Sequence, residues 1–157
     1  GEALPYAVTY ATDSMIWAGG TGMTIGLVIL MSFLAKSAQY KTIGRMSVVP
    51  AIFNINEPVI FGTPICFNPI FFIPFVFLPG AFLTFLLTDM GILGAPVVGM
   101  VPWTLPPVAV GIFMGAGNIS NIIWSIACVV VPIIVYYPFF RMADNAAYKE
   151  ELAAAEA

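Results

Sequence analysis

The sequence predicts an all-α membrane protein that crosses the bilayer several times, and its composition and charge spacing carry that prediction. Hydrophobic residues make up 61% of the 157 positions and charged residues only 8%, with a mean hydropathy of +0.99. A soluble domain carries about 25% charged residues. Long uncharged segments alternate with short polar or proline-broken ones. We therefore expect a polytopic protein of transmembrane helices and two re-entrant hairpins.

Three segments are long enough to be transmembrane helices: 14–35, 68–88 and 122–140. At about 1.5 Å per residue the first is roughly 33 Å long, against about 30 Å for the hydrocarbon core of a bilayer. It holds Gly22 and Gly26, a spacing that permits close approach of another helix. The second carries prolines at intervals of five residues, which predicts a kinked helix.

The first predicted hairpin surrounds the polar segment 54–58, Asn-Ile-Asn-Glu-Pro. The apolar segments on either side, 46–53 and 59–67, are each too short to cross a bilayer. The connector 36–45 carries three of the five basic residues, which places it in the cytoplasm by the positive-inside bias. This hairpin would enter and leave from the cytoplasmic side.

The second predicted hairpin lies within 90–140, a stretch of 51 residues without a charge. Its tip is the proline-flanked segment 102–107, Pro-Trp-Thr-Leu-Pro-Pro. A hairpin here enters from outside, so that all Lys and Arg residues lie on one side of the membrane. The rival topology has two full crossings in 90–140 and places Asp89 inside; the sequence leaves both open.

Four polar or aromatic residues at the two tips are candidates for a substrate site: Asn54, Asn56, Glu57 and Trp103. Ionisable residues within apolar membrane segments are costly and mark functional sites by default, so Glu57 is the candidate proton acceptor and catalytic residue. The asparagines offer hydrogen bonds to substrate hydroxyls or to loop backbone. Trp103 offers an aromatic plane and an N–H group, which suit either a sugar ring or the membrane interface. The chain has no His, and we expect no metal site and no cofactor.

The sequence around the first tip resembles the signature of the lactose/cellobiose-type membrane component IIC of the bacterial phosphoenolpyruvate-dependent sugar phosphotransferase system. The residues that carry the resemblance are Phe53-Asn54-Ile55-Asn56-Glu57-Pro58-Val59-Ile60-Phe61-Gly62-Thr63-Pro64-Ile65, followed by Asn68-Pro69-Ile70. Two further segments resemble the second tip and the helix before the first hairpin, namely Val101-Pro102-Trp103-Thr104 and Gly19-Gly20-Thr21-Gly22.

The resemblance implies group translocation of a disaccharide. The IIC component carries the sugar across the bilayer by an elevator-like motion and presents its 6-hydroxyl to a phosphocysteine of the cytoplasmic IIB partner, which is supplied by IIA. The phosphoryl donor is therefore expected on IIB and not on this chain. By the same resemblance Glu57 orients or deprotonates the hydroxyl, Trp103 contacts the ring, and Asn54 and Asn56 shape the first tip.

The resemblance also implies a domain organisation and a location. It covers only the C-terminal part of a family member, so residues 1–141 are expected to be the substrate-binding part and 142–157 a cytoplasmic tail. The chain begins at Gly1 without an initiator methionine, and we expect it to be part of a longer polypeptide whose N-terminal helices form a homodimer. The location is the bacterial cell membrane.

Two alternative functions remain open at this stage: a proton-coupled secondary transporter that uses Glu57, and a non-transporting membrane subunit whose tips only pack. The family motif does not distinguish cellobiose, lactose and diacetylchitobiose.

Overall fold

The computed structural model describes residues 16–89 and 101–156, and the regular structure within these ranges is helical. The helices are α1 (Ile25–Leu34), α2 (Ala38–Ile52), α3 (Glu57–Gly62), α4 (Pro69–Asp89), α5 (Pro107–Met114) and α6 (Ile119–Glu156), with a 3₁₀ turn at Ile65–Phe67. The described part of the chain contains no β-strand, as the all-α prediction requires.

The first predicted span is much shorter than expected. Helix α1 covers only ten residues, and residues 16–24 form a series of turns before it. Gly19, Gly20 and Gly22 have φ values of 77°, 91° and 80°, and Met23 has 54°. A right-handed helix cannot continue through such left-handed residues. The prediction of one continuous helix over 14–35 is therefore wrong for 16–24, and residues 14 and 15 lie outside the described ranges.

Helix α1 is the centre of the core, where it packs against α2 and α6. Glycines set the two helix–helix distances. A Cβ atom built at Gly26 would lie 2.5 Å from the backbone nitrogen of Ile133 in α6, and one at Gly44 of α2 would lie 2.7 Å from the carbonyl carbon of Met31. The close helix approach predicted at Gly26 is thus observed.

The other two predicted spans coincide with long helices. Residues 69–88 lie in α4, which has prolines at 74 and 79 inside it, and residues 122–140 lie in α6. Of the helices described, α6 passes the length and composition test for crossing a membrane, with a mean hydropathy of 2.2 in its most apolar window. This helix has no break at Arg141 and continues through the predicted tail to Glu156.

The polar end of α6 is docked onto the beginning of α2 by two carboxylates. Asp144 is fully buried and accepts hydrogen bonds from the backbone N–H groups of Lys36 and Ser37, each at 3.0 Å. Glu151, two turns later, accepts one from Ser37 Oγ at 2.6 Å and two from backbone N–H groups in the first turn of α2. The two carboxylates thereby satisfy N–H groups that have no partner within the helix. We call this set of contacts the carboxylate clamp.

Candidate functional site

Three irregular segments of the chain meet at the side chain of Asn54. They are the glycine loop (17–24), the first tip (53–56) and the second tip (101–106). Asn54 Oδ1 accepts a hydrogen bond from the backbone N–H of Gly19 at 2.9 Å. Its Nδ2 donates to the carbonyls of Trp103 at 2.6 Å and Leu105 at 3.0 Å. One buried amide, 4% exposed, therefore ties together segments that are 35 to 51 residues apart.

Asn56 attaches the first tip to the glycine loop a second time. Its Nδ2 donates to the Thr21 carbonyl at 2.7 Å and to Thr24 Oγ1 at 3.1 Å. Thr24 Oγ1 in turn donates to the Gly19 carbonyl at 2.6 Å. The approach is so close that a Cβ atom at Gly20 would lie 2.5 Å from Asn56 Cγ. Both predicted asparagines thus use their amide groups on loop backbone and on one threonine hydroxyl.

A third contact anchors the glycine loop to α6. The Tyr136 hydroxyl donates to the Gly22 carbonyl at 2.7 Å, and its side chain is completely buried. The sequence reasoning missed both Tyr136 and Thr24. Their only signal was a hydroxyl within an apolar segment. A threonine hydroxyl there often bonds to nearby backbone, and the partner of a tyrosine hydroxyl does not follow from the local sequence.

The first tip alternates buried amides with exposed side chains. Asn54 and Asn56 are buried, whereas Phe53, Ile55 and Glu57 are exposed. Glu57, the predicted proton acceptor, lies on the surface of the described part of the chain, at the start of α3. The physical reason is that neutral amides fill the interior of the tip and satisfy the backbone without the cost of a buried charge.

Trp103 lies on the same assembly of tips. Its side chain is 51% exposed, while its carbonyl is held by Asn54. Two residues lie between Asn54 and Glu57, so the Cα atoms of this pair are at most about 10 Å apart. Glu57 and Trp103 are thus both exposed, on two tips that the side chain of Asn54 joins. Together they offer a hydrogen-bond acceptor and a stacking plane for a polyhydroxylated ring.

A small cavity beside α3 does not suit such a ligand. It measures about 120 Å³ and is lined by Ile60, Phe61, Pro64 and Phe67. Ligand pockets usually measure about 300–1,000 Å³ and combine apolar walls with a few polar groups. The exposed surface of the tips is the better candidate.

Comparison with known proteins identifies the family. Residues 1–79 match the family described as "Phosphotransferase system, EIIC". This chain belongs to that family. The matched residues contain the glycine loop and the first tip, but not the second tip with Trp103.

Curated relatives and a solved structure support the same family assignment. The chain is 42% identical to the "Lichenan permease IIC component" of Bacillus subtilis (strain 168), over 96% of this chain and 34% of that protein. It is 42% identical to the "PTS system cellobiose-specific EIIC component" of Geobacillus stearothermophilus, with the same two shares. The crystal structure of the transporter ChbC, the IIC component from the N,N'-diacetylchitobiose-specific phosphotransferase system, superposes with a TM-score of 0.81 at 36% identity. It matches 91% of this chain and 34% of that one.

These comparisons confirm the predicted family and agree with the predicted membrane character. The chain spans about a third of the length of the curated relatives it matches. A relative from Staphylococcus aureus, at 38% identity over 96% of this chain and 27% of that protein, is named a lactose-specific EIICB component.

Proposed function

We propose that this chain forms the substrate-binding part of a disaccharide permease of the phosphotransferase system. It binds a sugar of the cellobiose, lactose or diacetylchitobiose class, moves it across the bilayer in an elevator-like motion, and presents its 6-hydroxyl to phosphorylated IIB, which IIA serves. The sugars in the names of the relatives support this class of substrate. The observation that carries the proposal is that hydrogen-bonded asparagines fix both tips, while Glu57 and Trp103 remain exposed on them.

In this proposal both tips belong to re-entrant hairpins. One packing contact supports it for the first tip. A Cβ atom at Gly62, the end of α3, would lie 3.0 Å from the side chain of Ile43 in α2, so the helices on either side of the first tip lie side by side. After the second tip, α5 packs closely against α6 at Gly111 and Ser125, and the arm before this tip, 90–100, lies outside the described residues.

The proposed orientation in the membrane places the C-terminus in the cytoplasm. All five Lys and Arg residues lie in the segments 36–45 and 141–149. The carboxylate clamp holds these two segments together, so the basic residues gather at one end of the described structure. This is the distribution that the positive-inside bias favours. A homodimer, formed through parts of a full-length permease outside this chain, completes the proposal.

The four site residues divide into two roles. Glu57 accepts a hydrogen bond from the 6-hydroxyl and takes its proton, or orients it, as phosphoryl transfer proceeds; such transfer is mostly a matter of positioning and charge stabilisation. Trp103 stacks on a sugar ring. Asn54 and Asn56 hold the tips in place through the bonds described above.

The test is sugar binding and IIB-dependent sugar phosphorylation by a complete IIC polypeptide that carries these residues. The variants are Glu57→Gln, which keeps the side-chain volume and loses the base, and Glu150→Gln as a control on the exposed end of α6. We expect saturable binding of a β-linked disaccharide, loss of phosphorylation in Glu57→Gln, and normal activity in the control.

Two results would contradict the proposal. Normal sugar-phosphate formation by Glu57→Gln would remove Glu57 from the site. Uptake that needs no IIB partner and collapses with the proton gradient would favour a proton-coupled transporter.

A further inference from the structure

The glycine loop is held by side-chain donors from within the loop itself, from the first tip and from α6. Its carbonyls at Gly19, Thr21 and Gly22 accept hydrogen bonds from Thr24, Asn56 and Tyr136, respectively, at 2.6, 2.7 and 2.7 Å. About two-thirds of protein hydrogen bonds join backbone to backbone, whereas these three loop carbonyls accept from side chains. The glycine loop is therefore linked to α6 by Tyr136 and to the first tip by Asn56.

Tyr136 supplies the anchor at the α6 end. Its side chain has no solvent exposure, and a buried hydroxyl is costly unless it is hydrogen-bonded. A phenylalanine would fill the same volume without that requirement. The hydrogen bond to the Gly22 carbonyl thus explains why a tyrosine stands at this position. The next residue, Tyr137, is 45% exposed and serves as a control for removal of a hydroxyl.

We infer that Tyr136 is a positioning residue for the sugar site, acting through the glycine loop on Glu57. The inference rests on the proposed function. The connection runs from the phenol to the Gly22 carbonyl, along one peptide link to Thr21, across the hydrogen bond to Asn56, and along the chain to Glu57. It contains two hydrogen bonds, of which the one to the Gly22 carbonyl is buried and the one to the Thr21 carbonyl is partly buried.

The glycine loop needs such an anchor because its own backbone is permissive. Gly19, Gly20 and Gly22 are free to adopt many conformations, so the loop does not hold its shape by steric exclusion. Without the phenol, the Gly22 carbonyl would be left unpaired among buried residues and would rotate toward another donor. That rotation would move the Thr21 carbonyl and, with it, the amide of Asn56.

The experiment compares Tyr136→Phe with Tyr137→Phe in a complete IIC polypeptide. The readouts are the sugar dissociation constant and the single-turnover rate of IIB-dependent phosphorylation, normalised to the number of sugar-binding sites so that unfolded protein does not count. We expect Tyr136→Phe to lower the rate about tenfold, the loss that one buried hydrogen bond of ordinary strength produces. The dissociation constant should change much less, because ring stacking does not depend on the carboxylate geometry. Tyr137→Phe should behave as wild type.

If Tyr136→Phe does not fold, a second pair of variants tests the Asn56 end of the connection, because Asn56 Nδ2 donates both to the Thr21 carbonyl and to Thr24 Oγ1. Thr24→Val removes the hydroxyl that bonds both Gly19 and Asn56, and Thr24→Ser retains it. We expect Val to lower the phosphorylation rate and Ser to restore it. Equal rates in Tyr136→Phe and Tyr137→Phe, or in the two Thr24 variants, would overturn the inference while the proposed function stands. A wild-type protein that neither binds nor phosphorylates any disaccharide would overturn both.

Discussion

Replacing Asp144 by Asn should weaken the attachment of α6 to α2. The carboxylate is fully buried and accepts three short contacts from the N–H groups of Lys36 and Ser37. An amide retains one acceptor oxygen but turns an NH₂ group toward a backbone N–H. It also removes the negative charge that lies beside the N-terminus of α2.

The expected cost is about 2–3 kcal/mol. Hydrogen bonds to a charged group contribute about 1.5–3 kcal/mol, and a negative charge at a helix N-terminus contributes about 0.3–1 kcal/mol, or about 2 when partly buried. Burial of the carboxylate is itself costly, and removal of the charge recovers part of that. Asp144→Ala should cost more than Asp144→Asn, because it leaves both backbone N–H groups without an acceptor.

Reversible unfolding in mixed micelles measures this difference, with Glu150→Gln as the exposed control on the same helix. The unfolding midpoint of Asp144→Asn should fall clearly, and the unfolding midpoint of Glu150→Gln should stay near that of the wild type. A double variant with Glu151→Gln should lose less than the sum of the single losses, because both carboxylates bind the same turn of α2. Equal stability of Asp144→Asn and wild type would refute the reasoning.

Three further predictions concern pH, a glycine and the indole. Hydrogen bonds from Ser37 and from the first turn of α2 lower the pKa of Glu151 from its ordinary 4.5, so its contribution is complete above pH 4.5 and is lost as the pH falls through the lowered value. Glu151→Gln should flatten the fall in thermal midpoint below pH 4.5, and identical profiles would contradict this. Gly20→Ala, at φ 91° and against Asn56, should destabilise the protein by about 1–3 kcal/mol, whereas Gly80→Ala, where the added Cβ meets no atom within 4 Å, should be neutral or stabilising in the same unfolding assay. Trp103→Ala should weaken disaccharide binding by about 1–3 kcal/mol by calorimetry, and an unchanged dissociation constant would give the indole a structural role.

Hydropathy predicted the helices whose existence depends only on apolar length. Residues 69–88 and 122–140 are helical because long uncharged segments satisfy their backbone internally. Hydropathy failed at 16–24, because it reflects the free energy of transfer into the bilayer and carries no information on whether the backbone is left- or right-handed. It also suggested a boundary at Arg141, where charge begins but the helix continues. Residues 141–156 contain neither Gly nor Pro and are rich in Ala, Glu and other helix formers.

The motif located the site residues along the chain but not their contacts. No local pattern indicates that the amide of Asn54 binds the carbonyl of Trp103, 49 residues away. Nor does periodicity predict which polar residue of a tip turns inward. That choice depends on which side chain can pair with the backbone of the glycine loop. The left-handed turns of this loop are evident in the structure and not in the sequence pattern.

The chain uses its carboxylates in two different ways, and the contrast bears on Glu57. Asp144 and Glu151 are engaged by N–H and hydroxyl donors at the start of α2. Among the described residues, by comparison, no side chain or backbone group donates a hydrogen bond to Glu57, although the side-chain amides of Asn54 and Asn56 beside it are hydrogen-bonded. A tip that needed only mechanical support would be served by its amides alone, at no cost in charge. A carboxylate exposed on that rigid tip is instead available to a ligand that brings its own donors, and sugar hydroxyls are such donors.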